Sequence, residues 1–265
     1  MKTLIVIPMR FASVRFPGKP LARLVSPSGD DRSLAHWTWL AAQPLADLAR
    51  IVLATDDDLI EAECHSFGGE VVRTSSACRN GTERCAEALQ AIGDDFDLVV
   101  NLQGDAPLTP HWILQSLIRS FDSPEVQVAT PALPTSGRTL DALREDRHEG
   151  RVGATTLVQD SDGNALYFSK EVLPYTAGRF DDEEITPVFH HIGAYAYRPD
   201  ALKAYLRLPE SPLKQCEGLE QLRFLENGIP IKCVQADLQG RSFWEVNNPE
   251  DIPKVAPYLG AVGRQ

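Results

Sequence analysis

Short apolar runs alternate with amphipathic stretches in the first half of the chain, and this alternation limits the folds open to it. Residues 4–8, 50–55 and 97–102 are apolar almost throughout and are of strand length. Such runs are typical of strands buried on both faces of a parallel sheet. Helical patterns separate them, so we predict an α/β fold with a mostly parallel, Rossmann-like sheet covered by helices on both faces.

The helices between these strands are marked by their boundaries. Ser33 is a plausible N-cap for a helix that ends near Pro44. The other segments predicted in this half are helices over 58–67, 82–92 and 110–121 and a strand over 69–73. Ligands of such sheets bind at the carboxyl ends of the strands. The loops after Pro8, Thr55 and Leu102 should therefore share one rim.

From about Val126 the pattern changes. The stretches VQVATPAL, VGATTLVQ, NALYFSK and HHIGAYAYR indicate strands, and Asp162-Gly163 is a hairpin signal. We predict one domain over 1–265, with residues 126–189 as a β-rich, antiparallel insertion. The chain then returns to helices over 199–208 and 219–227, a strand over 229–235 and a helix after Pro249.

Composition excludes several classes of protein. The 265 residues are 43% hydrophobic and 24% charged, without any apolar run near the roughly 20 residues of a membrane span, so we predict a soluble protein without membrane association. The net charge of -11 argues against nucleic acid as a partner. Five cysteines without a C-x-x-C pair argue against a disulfide framework or a zinc ribbon, and favour a cytoplasmic location.

Against this acidic background, the loop after the first strand carries three cations. Arg10, Arg15 and Lys19 lie within ten residues, and Gly18 allows close backbone approach. Guanidinium and ammonium groups beside such a loop suit a phosphate ligand. The residue types alone give equal support to ordinary solvated surface charges. A P-loop is excluded, because the motif G-x-x-x-x-G-K-[ST] is absent.

Carboxylates follow two of the buried strands. Asp105, in the segment QGDAP, stands where a magnesium ligand would face the cationic loop, although a turn aspartate is a common alternative. Asp56, Asp57 and Asp58 could be the D-x-D metal motif of a glycosyltransferase that uses nucleotide sugars. We favour the simpler interpretation, an N-cap cluster for the next helix.

Taken together, these motifs resemble a known family. IPMRFASVRFPGKPL, ATDDD, NGTERCAEAL, NLQGDAP, NALYFSK, HHIGAYAY and GLEQLRFLENG occur in the order found in CMP-Kdo synthetases (3-deoxy-manno-octulosonate cytidylyltransferases). The resemblance implies a nucleotidyltransferase fold, a homodimer built partly from residues 126–189 and a role in lipopolysaccharide biosynthesis. We also expect the insertion over 126–189 to shape the acceptor site. It implies a magnesium-dependent reaction of CTP with an acidic sugar, which gives a CMP-sugar and pyrophosphate.

The resemblance also assigns residues. Arg10, Lys19 and Asp105 would be catalytic, with Asp105 as the magnesium ligand. The nucleotide would be bound by Arg10, Ser13, Arg15, Gly18, Lys19, Asn80, Gly81, Thr82, Arg84 and Gln103, with Glu83 in the same NGTER segment. The acceptor would be bound by Gln103, Lys170, His191, Tyr195, Glu220 and Gln221.

The chain departs from the family pattern mainly on the acceptor side. Arg79-Asn80 replaces His-Ser, His190 replaces a basic residue, Gly153 replaces a lysine and Lys214 replaces a glutamate. Lys170 stands where an arginine is expected to pair with the sugar carboxylate. This exchange is not neutral, because lysine cannot make a planar bidentate contact.

A further departure concerns the metal. Asn247 stands where the family has a second metal-binding aspartate. Glu245 is two residues earlier, so in an extended segment it would share the face of Asn247 and could supply the missing charge. A solvent-facing Glu245 is the more common arrangement, and we adopt it as the expectation.

Three explanations of these departures remain open at this point: drift at tolerated positions, a changed small acidic acceptor, and a non-catalytic nucleotide-binding relic. The intact cationic loop and Asp105 argue against the relic. We therefore predict a working cytidylyltransferase for Kdo or a Kdo-like acid, and keep a glycosyltransferase as the alternative from another class.

Overall fold

The computed structural model describes residues 1–13, 15–93, 95–152 and 154–263. Ten strands of this part of the chain form one sheet in the order β5-β4-β1-β6-β11-β7-β10-β8-β9, with β12 paired to β7. A separate hairpin is formed by β2 and β3. The strands are β1 (Thr3–Pro8), β2 (Arg23–Val25), β3 (Asp31–Ser33), β4 (Ala49–Thr55), β5 (Val71–Arg73), β6 (Leu98–Leu102), β7 (Val128–Ser136), β8 (Thr156–Gln159), β9 (Ala165–Ser169), β10 (Ile185–His191), β11 (Ala194–Tyr197) and β12 (Ile231–Gln235).

The α-helices connect these strands and cover the sheet. They are α1 (Leu34–Ala42), α2 (Asp58–Ser66), α3 (Gly81–Ile92), α4 (His111–Ser120), α5 (Gly137–His148), α6 (Pro199–Tyr205), α7 (Pro212–Glu217), α8 (Leu222–Glu226) and α9 (Ile252–Val255). None of the described helices is long and apolar enough to cross a membrane. All five cysteines are free thiols.

Strand β1 lies at the centre of the parallel part of the sheet. It pairs in parallel with β4 on one side and β6 on the other. Leu4 and Val6 belong to one apolar cluster and Ile5 and Ile7 to another, so β1 is buried on both faces. The predicted α/β fold on a parallel sheet is therefore confirmed.

The rim at the carboxyl ends of β1, β4 and β6 is also confirmed. The N–H of Met9, just past β1, donates to the Ala54 carbonyl at 2.8 Å. Gly104, just past β6, lies so close to the Pro8 carbonyl oxygen that a Cβ would be 2.7 Å from it. Glycine is required there, because a side chain would separate the two loops.

The second half of the chain extends the same sheet with antiparallel strands. Strands β10 and β11 both pair with β7, and β12 pairs with the β7 edge opposite to them. Only Ile192 and Gly193 separate β10 from β11, and β11 continues to β6. The antiparallel pairing predicted for this region is present. That residues 126–189 shape an acceptor site stays a prediction.

Several elements differ from the sequence-based expectation. Ser33 caps α1 as predicted, accepting the His36 N–H at 3.1 Å. The hairpin β2–β3 and helices α5 and α7 were not predicted. Helix α5 is strongly charged and buries little beyond Leu140 and Leu143, and α7 buries no residue, so neither carries a clear apolar periodicity.

Candidate active site

The loop after β1 folds back on itself at Gly18. Gly18 has φ +68°, and its N–H donates to the Phe11 carbonyl at 3.0 Å. A Cβ on Gly18 would lie 3.1 Å from the Phe11 ring, in a backbone conformation that side chains rarely adopt. The glycine therefore makes the turn that presents Lys19. The Ser13 N–H donates to the same Phe11 carbonyl at 2.8 Å.

The three cations of this loop reach three different parts of the rim. Lys19 Nζ is 2.5 Å from Asp105 Oδ2. Arg15 Nη2 donates to Asn247 Oδ1 at 3.1 Å. Arg10 Nη1 lies 3.5 Å from the Arg79 carbonyl, just before α3. The loop thus spans the rim from α3 to the segment near residue 247.

Two carboxylates face Lys19. The Val246 N–H donates to the Asp105 carbonyl at 2.9 Å, which holds the 245–247 segment beside Asp105. Glu245 accepts hydrogen bonds from the Gly193 N–H and the Asn247 side chain. Burial, and then the nearby Asp105 charge, raise the pKa of Glu245 to about 7. The expectation that Glu245 faces solvent is therefore wrong: it is partly buried and turned towards Asp105.

This arrangement fits a metal that is held partly by its substrate. Among the described residues, no three His, Cys, Asp or Glu side chains are grouped to hold an ion. Asp105 and Glu245 nevertheless bring two like charges together, and a cation would relieve their repulsion. Magnesium usually takes one or two carboxylates plus substrate phosphates. The residues suit that kind of site rather than a closed protein cage.

Helix α3 begins with the NGTER segment at the same rim. The Asn80 side chain caps the helix by accepting the Glu83 N–H at 2.9 Å. Gly81 lies against two amides: a Cβ there would be 2.9 Å from Gln103 Nε2 and 3.2 Å from Asn101 Nδ2. Gly81 therefore allows the Gln103 side chain to lie at the start of α3.

Two residues assigned to the nucleotide by resemblance are buried with protein partners. The Thr82 hydroxyl contacts Tyr197 OH at 3.0 Å and Glu220 Oε1 at 3.1 Å. Arg84 is only 3% exposed, with Nη1 2.5 Å from Thr74 Oγ1 and Nη2 3.0 Å from Asp56 Oδ1. In this structure, both side chains contact other protein side chains at the rim.

The aspartates after β4 have structural partners. Asp57 Oδ1 accepts the N–H groups of Leu59 and Ile60 at 2.9 and 3.1 Å, so it is the N-cap of α2. Asp58 pairs with Arg73 at 3.0 Å, and Asp56 pairs with Arg84. The N-cap interpretation is confirmed for Asp57. The contacts of all three aspartates favour it over a glycosyltransferase metal motif.

On the acceptor side, His191 and Tyr195 are buried neighbours with ring centroids 5.4 Å apart. The Thr130 hydroxyl donates to the Ala194 carbonyl at 2.8 Å, so it accepts from His191 Nε2, 2.9 Å away. Burial lowers the pKa of His191 to about 3 and raises that of Tyr195 well above its ordinary value. Both groups are therefore neutral near pH 7.

Glu220 connects the acceptor side to α3. Its carboxylate accepts hydrogen bonds from the Thr82 hydroxyl and from the N–H groups of Gly81 and Thr82, while burial raises its pKa. The next residue, Gln221, is 2% exposed, and its Nε2 has no partner among the described residues. The Glu220 carboxylate thus lies beside the start of α3.

Several residues that depart from the family pattern contact other side chains in the structure. Arg79 forms ion pairs with Glu83 and Glu210, and Lys214 binds the same Glu210 at 2.8 Å. The replacements at 79 and 214 therefore meet on one carboxylate. The His190 ring lies 5.9 Å from that of Phe243. Gly153 lies outside the described residues.

Two residues of this region escaped the sequence analysis. Asn101 is fully buried, and neither of its amide atoms has a partner among the described residues. Its spacing of two from Gln103 on the end of β6 was the available signal. Glu217 binds the end of β9, and no sequence pattern marked it.

A separate cavity of about 360 Å³ is lined by Ala41 and by residues from 107–111, 240–242 and 257–263. It contains none of the predicted site residues. We therefore identify the candidate site by the chemistry of the residues at the rim.

Comparisons with known proteins identify the family. The family model described as cytidylyltransferase matches residues 4–233. The 3-deoxy-manno-octulosonate cytidylyltransferases of Maricaulis maris and Porphyromonas gingivalis are 42% and 40% identical; the alignments cover 99% and 98% of this chain and 99% and 97% of those proteins. A solved structure of CMP:2-keto-3-deoxy-manno-octonic acid synthetase complexed with CTP has a TM-score of 0.80 at 31% identity, and 97% of each chain is covered. The chain therefore belongs to the 3-deoxy-manno-octulosonate cytidylyltransferase family.

Proposed function

We propose that this protein activates 3-deoxy-manno-octulosonate (Kdo) with CTP, giving CMP-Kdo and pyrophosphate. The observation that carries the proposal is the contact between the cationic loop and the carboxylates of Asp105 and Glu245. In this contact, Lys19 Nζ lies 2.5 Å from Asp105 Oδ2. The relatives at about 40% identity over nearly the whole chain bear this activity in their names. We expect it in the cytosol, where free thiols persist.

The reaction needs charge neutralisation more than covalent help from the protein. The anomeric hydroxyl oxygen of the sugar attacks the α-phosphorus and loses its proton, while the bond to the bridging oxygen breaks and pyrophosphate leaves. Negative charge on the phosphates is stabilised by cations fixed in advance. In our proposal Arg10, Arg15 and Lys19 neutralise the triphosphate, Ser13 and Gly18 line the loop, and Asn80, Gly81 and Gln103 bind nearby.

We assign the metal to the carboxylate pair. Asp105 and Glu245 would hold Mg²⁺, and the Asn247 amide oxygen would be a neutral neighbour. When bound, the ion would supply positive charge to the phosphate oxygens. Glu245 would thereby restore the second negative charge that Asn247 lacks.

The acceptor would lie between Gln103 and the Lys170 end of β9. Lys170 provides a cation for the sugar carboxylate, while the neutral groups Tyr195 and His191 and the side chains of Glu220 and Gln221 border the same region. A lysine ammonium is a point charge, so it restricts the orientation of a bound carboxylate less than the planar, bidentate guanidinium of an arginine would. Another small acidic sugar is therefore the second candidate acceptor.

A homodimer is part of the proposal. Four large apolar side chains between residues 152 and 185 are exposed: Val152 (52%), Leu166 (60%), Tyr175 (87%) and Ile185 (65%). Exposed apolar groups concentrated in one segment are typical of an association surface. Sedimentation equilibrium at micromolar concentration should show a dimer; a monomer would contradict this part.

A pyrophosphate-release screen tests the function. CTP is combined with Mg²⁺ and, in turn, Kdo, its amino analogue, a sialic acid and a small hydroxy acid. We expect release with Kdo and none without an acceptor. Release with another acid alone would reassign the acceptor, and no release with any acceptor and any of the four nucleotides would reject the enzyme.

Thermal shift measurements test the choice of base. CTP should raise the melting temperature more than UTP, ATP or GTP. Stabilisation by ATP alone would overturn the cytidine assignment.

A further inference from the structure

Glu217, at the end of α7, holds the end of strand β9. Its Oε2 accepts the backbone N–H of Lys170 at 3.0 Å. Its Oε1 accepts the Ser169 hydroxyl at 2.7 Å and lies 3.4 Å from the Tyr167 hydroxyl. Because the Glu217 carboxylate accepts these hydrogen bonds, they are stronger than hydrogen bonds between neutral groups. One side chain therefore fixes the backbone position from which the Lys170 side chain departs.

The next residue, Gly218, leaves room for the Lys170 ammonium. Gly218 ends α7 in the left-handed conformation with φ +68°, and a Cβ there would be 3.0 Å from Lys170 Nζ. The ammonium thus lies beside the C-terminal end of α7, where backbone carbonyls carry partial negative charge. No carboxylate of the described residues forms an ion pair with Lys170, so its charge remains available to a ligand.

Helix α7 has no apolar anchor. None of its six residues is buried. Besides Glu217, its contacts include the Leu213 N–H, which donates to Glu226 Oε1 at 3.3 Å, and Lys214, which pairs with Glu210. The relation between α7 and β9 therefore depends heavily on the Glu217 carboxylate.

We propose that Glu217 is a positioning residue for acceptor binding: it holds Lys170 so that the ammonium meets the carboxylate of the acceptor. Glu217 itself does not contact the acceptor in this proposal. The inference rests on the proposed function, and it adds a residue on a separate helix to the recognition of an acidic sugar.

Steady-state kinetics with Kdo and CTP test the proposal. Glu217→Ala should raise the KM for Kdo about tenfold and leave the KM for CTP within about twofold. Glu217→Gln retains one acceptor oxygen of the same shape and should give a smaller rise. If the alanine variant fails to fold, the glutamine variant carries the same test at smaller amplitude.

A double-mutant cycle separates positioning from a merely structural role. In a Lys170→Met background, Glu217→Ala should change the KM for Kdo by no more than about twofold, because its effect passes through Lys170. Equal effects in both backgrounds would overturn the proposal.

Glu226→Gln is the matched control, since it removes a carboxylate that fastens the other end of α7. It should leave the KM for Kdo unchanged, and a rise equal to that of Glu217→Ala would overturn the proposal. If the unsubstituted enzyme releases no pyrophosphate with Kdo, the proposed function fails and the inference with it. If it does release pyrophosphate and Glu217→Ala has the unsubstituted KM for Kdo, only the inference fails.

Discussion

The Lys19 ammonium and the Asp105 carboxylate form an ion pair in which Nζ and Oδ2 are 2.5 Å apart. Their side chains are 15% and 22% exposed, so each charge is partly shielded from water. Without nucleotide, the pair keeps both charges compensated. Binding of a triphosphate and a metal would give each member a new partner of opposite charge.

The first prediction follows from this pair. Asp105→Asn should lower turnover by about 100-fold or more, because a charge that holds the metal at the transition state is lost. It should not weaken binding of CTP alone, because Lys19 is released for the phosphates. Pyrophosphate release and calorimetric titration with CTP in the absence of metal measure the two effects.

Lys19→Met provides the contrast. It should weaken CTP binding itself, because a phosphate-binding cation is removed. Near-normal turnover of Asp105→Asn at all magnesium concentrations would remove the metal assignment.

The second prediction concerns Glu245 and Asn247. A full charge about 4 Å from another is worth up to roughly 4 kcal/mol at an effective dielectric near 20, before desolvation is subtracted. Asn247→Asp should therefore lower the magnesium concentration for half-maximal rate by about tenfold, and Glu245→Gln should raise it about tenfold. Direct Mn²⁺ binding in the presence of CTP, followed by electron paramagnetic resonance, should change in the same directions.

Glu250 is the control for this pair, because it is exposed and lies in the same segment. Glu250→Gln should leave the magnesium requirement unchanged. An unchanged magnesium requirement for Glu245→Gln would show that Glu245 is not a ligand.

The third prediction concerns acid stability. Burial lowers the pKa of His191 to about 3. In the unfolded chain the ring takes up a proton near its ordinary pKa of about 6.5. Protonation of His191 in the unfolded chain therefore has little effect on stability above pH 6.5. As pH falls from 6.5 towards 3, it progressively lowers the free energy of unfolding. At pH 5 the loss is about 2 kcal/mol of unfolding free energy relative to pH 8.

Urea unfolding of His191→Gln and the unsubstituted protein at pH 5 and 8 measures this effect. The glutamine variant should lose less stability between the two pH values. His65→Gln is the control, because it removes a histidine whose side chain is 58% exposed rather than buried. An equal pH dependence of the His191 variant and the unsubstituted protein would contradict the prediction.

The parallel half of the fold was predictable because its strands carry a local signal. The continuous apolar runs of β1, β4 and β6 require burial on both faces, and short polar connections leave few topologies. The rim and its cationic loop follow from that topology. The start of α1 at Ser33 was predictable because a serine N-cap is also a local signal in the sequence.

The orientation of Glu245 was not predictable, because it depends on a distant contact. Gly193 lies 52 positions earlier in the chain, yet a Cβ there would be 2.8 Å from Glu245 Oε1. The meeting of Arg79 and Lys214 on Glu210 is likewise a tertiary contact. Helix α7 is attached through polar groups and buries no residue, so its sequence lacks the apolar periodicity by which a helix is predicted.

The fourth prediction uses Lys170→Arg to identify the acceptor. If the acceptor is Kdo, a guanidinium at this position should restore a bidentate contact with the carboxylate and keep or lower the KM for Kdo. If the acceptor has changed, the same substitution should raise the KM for the native acceptor. In both cases the KM for CTP should stay within about twofold, because Lys170 lies on β9 rather than on the cationic loop.

Gly218 limits how the guanidinium group of the Lys170→Arg variant can fit. Lys170 Nζ already lies 3.0 Å from the position that a Gly218 Cβ would take, so an arginine must extend past the end of α7 towards the acceptor. Gly218→Ala, which narrows that space, should therefore raise the KM for Kdo more in the Lys170→Arg variant than in the parent. Steady-state kinetics of the four proteins with Kdo and its amino analogue make the measurement. Unchanged constants for every acceptor in all four would place Lys170 outside the acceptor site, because a cation that touches the sugar carboxylate cannot be exchanged and crowded without effect on binding.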